Sequence, residues 1–100
     1  MAKGYWVSAY HAVHDPEKLA AYAKLAGPAI EAGGGKFLAR GNAVKAYEQG
    51  SQQGILQRTV IVEFESVAKA IETHDGPGYQ AALKALGDGV SRDLRVIEGV

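Results

Sequence analysis

The segment RTVIVEF, Arg58 to Phe64, sets Thr59, Val60, Ile61 and Val62 in an unbroken row, four β-branched residues between a cation and the anion Glu63. Side chains branched at Cβ lose rotamer freedom in a helix and pack well on a pleated sheet. A run apolar at odd and even positions alike reads as a central strand, with neighbours on both sides. The rest of the chain must therefore supply flanking strands and helices to cover them.

Gly4 to Val13, GYWVSAYHAV, is rich in aromatic and β-branched residues at both parities and reads as the first strand. Asp15-Pro16 then offers an N-cap followed by the residue favoured at the first helical position. Leu19, Tyr22, Ala23, Ala26 and Ile30 recur at helical spacing, which predicts a helix over Pro16 to Ala32 with that stripe inward. Pro28 lies inside it and predicts a kink around Lys24 to Gly27. Lys36 to Glu48 reads as a strand in which Gly41-Asn42 marks a bulge or bend. The polar QGSQQG after it is a hairpin loop, and the RTVIVEF strand begins near Ile55.

Ser66 is placed to cap a second helix, with Val67, Ala70 and Ile71 inward until His74-Asp75-Gly76-Pro77 interrupts it. Tyr79, Ala82, Leu83 and Leu86 make a further helical face, ended by Gly87 and Gly89. Asp93 to Val100, DLRVIEGV, reads as the closing strand. The resulting order, βαββαβ, is the ferredoxin-like α+β arrangement: a four-stranded antiparallel sheet with the helices on one side. Residues 1–100 form a single domain of this kind. Trp6, Ser8 and Tyr10 share one face of the first strand, and Tyr5, Val7, Ala9 and His11 the other; neither is polar enough to be left in water. A homodimer whose two sheets pack face to face is the expected remedy.

Eleven Lys plus Arg balance eleven Asp plus Glu, so no net field draws the chain to nucleic acid or to an anionic membrane surface. The absence of cysteine removes thiolate nucleophiles, disulfides and zinc ribbons. No apolar run approaches the ~18 residues of a membrane span, and the N-terminus lacks the pattern of a signal peptide. A cytoplasmic protein is expected.

The stretch GGGKFLARG, Gly33 to Gly41, has the glycines and cations of a phosphate cradle but the wrong neighbours. A phosphate loop follows a strand and opens a helix, whereas here a helix precedes and a strand follows. The glycines read as a helix stop. No dinucleotide fingerprint is present either, so no cofactor is expected. His11 and His14, three apart in a strand, point to opposite faces and make a poor metal pair, and no metal is expected.

The candidate chemistry lies elsewhere. His11 beside Val7 and Ala9, and His74 beside Asp75, are the candidate proton-transfer residues. Tyr22 and Tyr79, on inward helix positions, and Arg40 and Arg58, on strands, are the candidate ligand-binding residues. For each a structural role competes: a hydrogen-bonded histidine, a packing tyrosine, or an arginine paired with a carboxylate such as Glu63 or Glu98. His11, Tyr22, Arg58, His74 and Tyr79 are expected to line one concave site.

GYW at 4–6, GGKFLARG at 34–41, RTVIVEF at 58–64, PGYQAAL at 77–83 and the terminal VIEGV together resemble the domain of unknown function 1330 family, over nearly the whole chain. The resemblance implies a dimeric α+β barrel, in the broad superfamily of small antibiotic-biosynthesis monooxygenases, muconolactone isomerase-like proteins and some haem-binding enzymes. The family brings no reaction of its own. Three readings stay open: a cofactor-independent enzyme, monooxygenase- or isomerase-like, on a small organic molecule; a non-catalytic small-molecule-binding or stress-related dimer; and a haem-binding protein with His11 or His74 as axial ligand.

Overall fold

The computed structural model describes residues 2–48 and 58–100. Four strands and three helices follow one another as β1 (Gly4–Val13), α1 (Pro16–Ala32), β2 (Lys36–Asn42), β3 (Arg58–Phe64), α2 (Val67–Asp75), α3 (Pro77–Leu86) and β4 (Val90–Glu98). The sheet order is β2-β3-β1-β4, with every neighbouring pair antiparallel. This is the ferredoxin-like α+β fold, and RTVIVEF is one of its two central strands. The hairpin loop expected at residues 49–54 and the strand start expected near Ile55 lie outside the described residues.

The helix boundaries follow from local chemistry. The Asp15 side chain accepts hydrogen bonds from the Glu17 and Lys18 backbone amides at 3.0 and 3.2 Å, satisfying donors that the first turn of α1 leaves free. Ser66 does the same for α2 through the Lys69 amide at 3.0 Å. α1 continues through Pro28 to a glycine stop. There Gly34 takes φ +83, a conformation that side chains disfavour. At Gly35 a Cβ would lie 2.5 Å from Ile30 and 2.9 Å from Phe64, so only glycine lets β2 start this close to the core. Gly41, by contrast, faces open space.

The helices cover one face of the sheet. Tyr22, Ala26 and Ile30 of α1, Ala70 of α2, and Tyr79, Ala82 and Leu86 of α3 are buried against Trp6, Val62 and Phe64. Ile71, expected inward, is 46% exposed; α2 is short and turns Ala70 and Thr73 to the core instead. Trp6 ties the layers together. Its ring meets Phe64 at 5.0 Å and Tyr79 at 4.8 Å between centroids, and its indole N–H donates to the Ala70 carbonyl at 3.0 Å. The molecule measures 36 × 32 × 16 Å. Its thin dimension suits one helical layer on one sheet, and among the described residues no helix covers the second sheet face, which carries Tyr5, Val7, Ala9 and Ile61.

Two irregularities redirect side chains. The β2–β3 register shifts between Phe37 and Ala39, so Leu38 is an extra residue and Arg40 returns to the face of Phe37. The β1–β4 register shifts between Tyr10 and Ala12, which makes His11 the extra residue there. A bulge of this kind re-aims the side chains that follow it. The bend expected at Gly41-Asn42 thus occurs earlier in the strand.

Candidate functional site

On the helix-covered face, antiparallel register sets the inward residues of β4 beside those of β1: Arg92 opposite Tyr10, Leu94 opposite Ser8 and Val96 opposite Trp6. Along β4, Arg92, Leu94 and Val96 are half-buried while Ser91, Asp93, Arg95 and Ile97 are exposed, the alternation of a strand with one covered face. Arg92 therefore enters the interior between sheet and helices. It meets phenols there. Its Nη1 donates to the Tyr10 hydroxyl at 3.0 Å and the Tyr22 hydroxyl at 3.2 Å, and Nη2 donates to the Tyr79 hydroxyl at 3.0 Å. The Tyr22 and Tyr79 oxygens are themselves 2.6 Å apart, one donating to the other.

Among the described residues no carboxylate lies within ion-pair distance of Arg92. A buried cation is costly unless its N–H groups are satisfied, and three phenol oxygens satisfy it in part. The guanidinium still has N–H groups to spare, and Tyr10, which accepts from Arg92, keeps its own proton for another partner. Burial works against the Arg92 charge, but the surrounding tyrosine oxygens outweigh it and hold the group cationic. Burial also pushes the Tyr79 phenol well above its ordinary value of 10.0, with Tyr22 adding to the rise and Arg92 opposing it. Tyr10 is raised by burial too, against the pull of Arg92.

Tyr10, Tyr22 and Arg92 border a cavity of about 60 Å³ beneath α1. A single water requires only ~10–15 Å³, so the space admits several waters or a small organic group. Val60, Val62, Leu94 and Ile30 form apolar walls, Ala23 and Gly27 of α1 border the space, and Arg40 and Arg58 approach from β2 and β3. Arg40 lies over the Phe37 ring at 4.3 Å, the position the Leu38 bulge gives it. Among the described residues no aspartate or glutamate lines the cavity.

Of the residues singled out in the sequence, Tyr22, Arg40 and Arg58 line this cavity, and Tyr79 joins it through its hydroxyl bonds to Tyr22 and Arg92. The two histidines do not. His11, the bulged residue of β1, lies on the uncovered side of the sheet, where its Nε2 is 3.2 Å from Asp93 Oδ2. His74 packs its ring against Trp6 and Tyr79 at 5.9 and 5.1 Å between centroids and pairs with Asp75 at 3.0 Å, outside the lining. The single concave site expected around His11, Tyr22, Arg58, His74 and Tyr79 is thus divided, because strand parity sends His11 to the opposite face. The residue that organises the cavity is Arg92. The period-two pattern Val90, Arg92, Leu94, Val96 carries its signal, hidden when the closing strand is started at Asp93.

The shifted phenols have a consequence for stability. Because the folded state raises the Tyr79 pKa, it keeps a proton that the unfolded chain releases, so this contribution is full below about pH 10 and is lost as pH climbs from there towards the folded value. Urea unfolding across the alkaline range is expected to show stability falling beyond about pH 10. Tyr79→Phe is expected to make that fall shallower. An unchanged slope in the variant would remove Tyr79 as its source.

Comparison with known proteins agrees with this architecture. Residues 3–100 match the family described as Domain of unknown function (DUF1330). The chain belongs to that family. Among solved structures, a protein of unknown function from Rhodopseudomonas palustris aligns with a TM-score of 0.76 at 21% identity, covering 99% of this chain and 83% of the other. A candidate antibiotic biosynthesis monooxygenase from Caulobacter crescentus aligns with a TM-score of 0.58 at 16% identity, covering 99% and 90%. One from Nitrosomonas europaea gives 0.60 at 10% identity with the same coverages. At these identities the likeness is one of fold. No curated protein matches the chain. Among the described residues, no helix is long and apolar enough to cross a membrane.

Proposed function

We propose that this DUF1330 chain is a cofactor-independent enzyme, monooxygenase- or isomerase-like, acting on a small organic molecule in the cavity beneath α1. The observation that carries this reading is Arg92: a half-buried guanidinium hydrogen-bonded to three phenols, with no carboxylate partner among the described residues and an apolar cavity beside it. Donors fixed in advance around a site of low polarity stabilise negative charge as it develops on a substrate oxygen. Arg92 and the Tyr10 hydroxyl supply them. An enol or phenol held against Arg92 has its pKa lowered by the adjacent cation, so the substrate gives up its proton to solvent and is held as an oxyanion. The fold likeness to the candidate monooxygenases supports this reading by analogy alone.

A second reading, a non-catalytic binding protein, is favoured by one observation: among the described residues neither a histidine nor a carboxylate lines the cavity, so no side chain there is suited to accept a proton at neutral pH. A panel of phenols and enolisable dicarbonyl compounds separates the two. Oxygen uptake or spectral change that Arg92→Met abolishes supports the enzyme; thermal stabilisation without turnover supports the binder. Neither effect from any member would contradict both.

The uncovered sheet face supports the further reading that the working form is a homodimer. Ile97 there is 57% exposed and sits opposite Tyr5, beside the half-exposed Val7 and Ile61. A second copy of the same sheet would bury this apolar surface.

A further inference from the structure

Ser8 is 4% exposed, lies in the cavity lining between Trp6 and Tyr10, and its hydroxyl is the one buried side-chain polar atom among the described residues without a hydrogen-bond partner. Buried hydroxyls are almost always paired, and an orphan in a native fold calls for an absent partner. The backbone does not explain it. Ser8 is in the middle of β1, paired with Val60 on one side and Leu94 on the other, a place where alanine or valine would serve packing better.

Among the described residues, the same cavity collects three arginines and no acid. Arg92 arrives from β4, Arg58 from the start of β3, and Arg40, itself exposed, from β2, where the Leu38 bulge sets it on the cavity's side of the sheet. None of the three pairs with a carboxylate among the described residues. Charge complementarity therefore asks for an anion, the apolar walls ask for a hydrocarbon body, and the Ser8 hydroxyl asks for a further polar atom on that body.

We infer that the ligand of this cavity is an organic acid bearing a hydroxyl or keto oxygen, its anionic group held by the arginines and its second oxygen hydrogen-bonded to Ser8, which makes Ser8 a specificity-determining residue. This rests on the small-molecule reading above and narrows it. A site that leaves its own polar group unpaired discriminates against the ligand lacking the matching group. A hydroxylated acid is thus preferred over its plain counterpart, and the preference resides in Ser8.

Calorimetric titration with benzoate, 3-hydroxybenzoate and 4-hydroxybenzoate tests this on the wild type and on Ser8→Ala. The wild type is expected to bind at least one hydroxybenzoate roughly three- to tenfold more tightly than benzoate, the worth of one neutral hydrogen bond. Ser8→Ala is expected to bind all three about equally, with an unchanged or higher melting temperature, since the substitution removes an unpaired buried hydroxyl. Equal binding by the wild type, or a preference that survives in Ser8→Ala, would overturn the role of Ser8 while leaving an anion pocket standing. A melting temperature that falls sharply in Ser8→Ala would show a structural partner and overturn it as well. If none of the three acids binds, the anion pocket falls with it.

Discussion

Arg92→Met is expected to weaken binding of an organic anion by roughly ten- to 150-fold, the equivalent of the ~1.5–3 kcal/mol of a hydrogen bond to a charged group. Methionine fills the stem of the arginine without its charge, and the Tyr22–Tyr79 bond at 2.6 Å does not depend on the guanidinium. The fold should therefore survive, at the cost of the donor that the Tyr10 and Tyr79 oxygens lose. Arg92→Lys keeps the charge but has no planar fork with which to reach Tyr10, Tyr22 and Tyr79 together, so intermediate affinity is expected. Circular dichroism with titration calorimetry separates the two effects. Undiminished anion binding by a folded Arg92→Met protein would mean that Arg40 and Arg58 carry recognition without it.

The largest effect on stability is expected at Phe64. Its side chain is 0% exposed, its ring stacks obliquely on Trp6 at 5.0 Å, and Gly35 leaves room for it where β2 begins. Phe64→Ala removes the ring from a region that cannot collapse, because Trp6 is held by its own bond to the Ala70 carbonyl. A cost of about 3–5 kcal/mol follows, against a total of ~5–15 kcal/mol for a domain of this kind. Urea unfolding should show the midpoint falling by roughly a fifth or more. A loss below ~1 kcal/mol would mean that the core around Trp6 repacks freely.

The parts of the molecule that depend on local rules were legible in the sequence. β1 and the strand RTVIVEF follow from their β-branched and aromatic residues and α1 from helical spacing, and Asp15 and Ser66 cap their helices because a short side chain with an oxygen is what a helix start needs. The candidate site was legible only in part. Tyr22 and Tyr79 are inward by helical spacing, but their meeting hydroxyls depend on how α1 packs on α3. Arg40 reaches the cavity through a bulge at Leu38, where residue type gives no warning. His11 looked equivalent to its inward neighbours because both faces of β1 are apolar, and only the placement of the helices decides which is covered. Arg92 was hidden by a strand end, since a helix-ending glycine at 89 followed directly by a strand leaves little punctuation between them.

In the proposed site the cavity beneath α1 recognises negative charge on an apolar body through Arg92. Titration with phenylacetate and with its uncharged isostere phenylacetamide, at low and at high salt, tests this most directly. Phenylacetate is expected to bind at least about tenfold more tightly than the amide, a difference of ~1.4 kcal/mol, and Arg92→Met to remove most of the difference. Equal affinity for acid and amide, or a preference for the acid that the arginine's loss leaves intact, would contradict it.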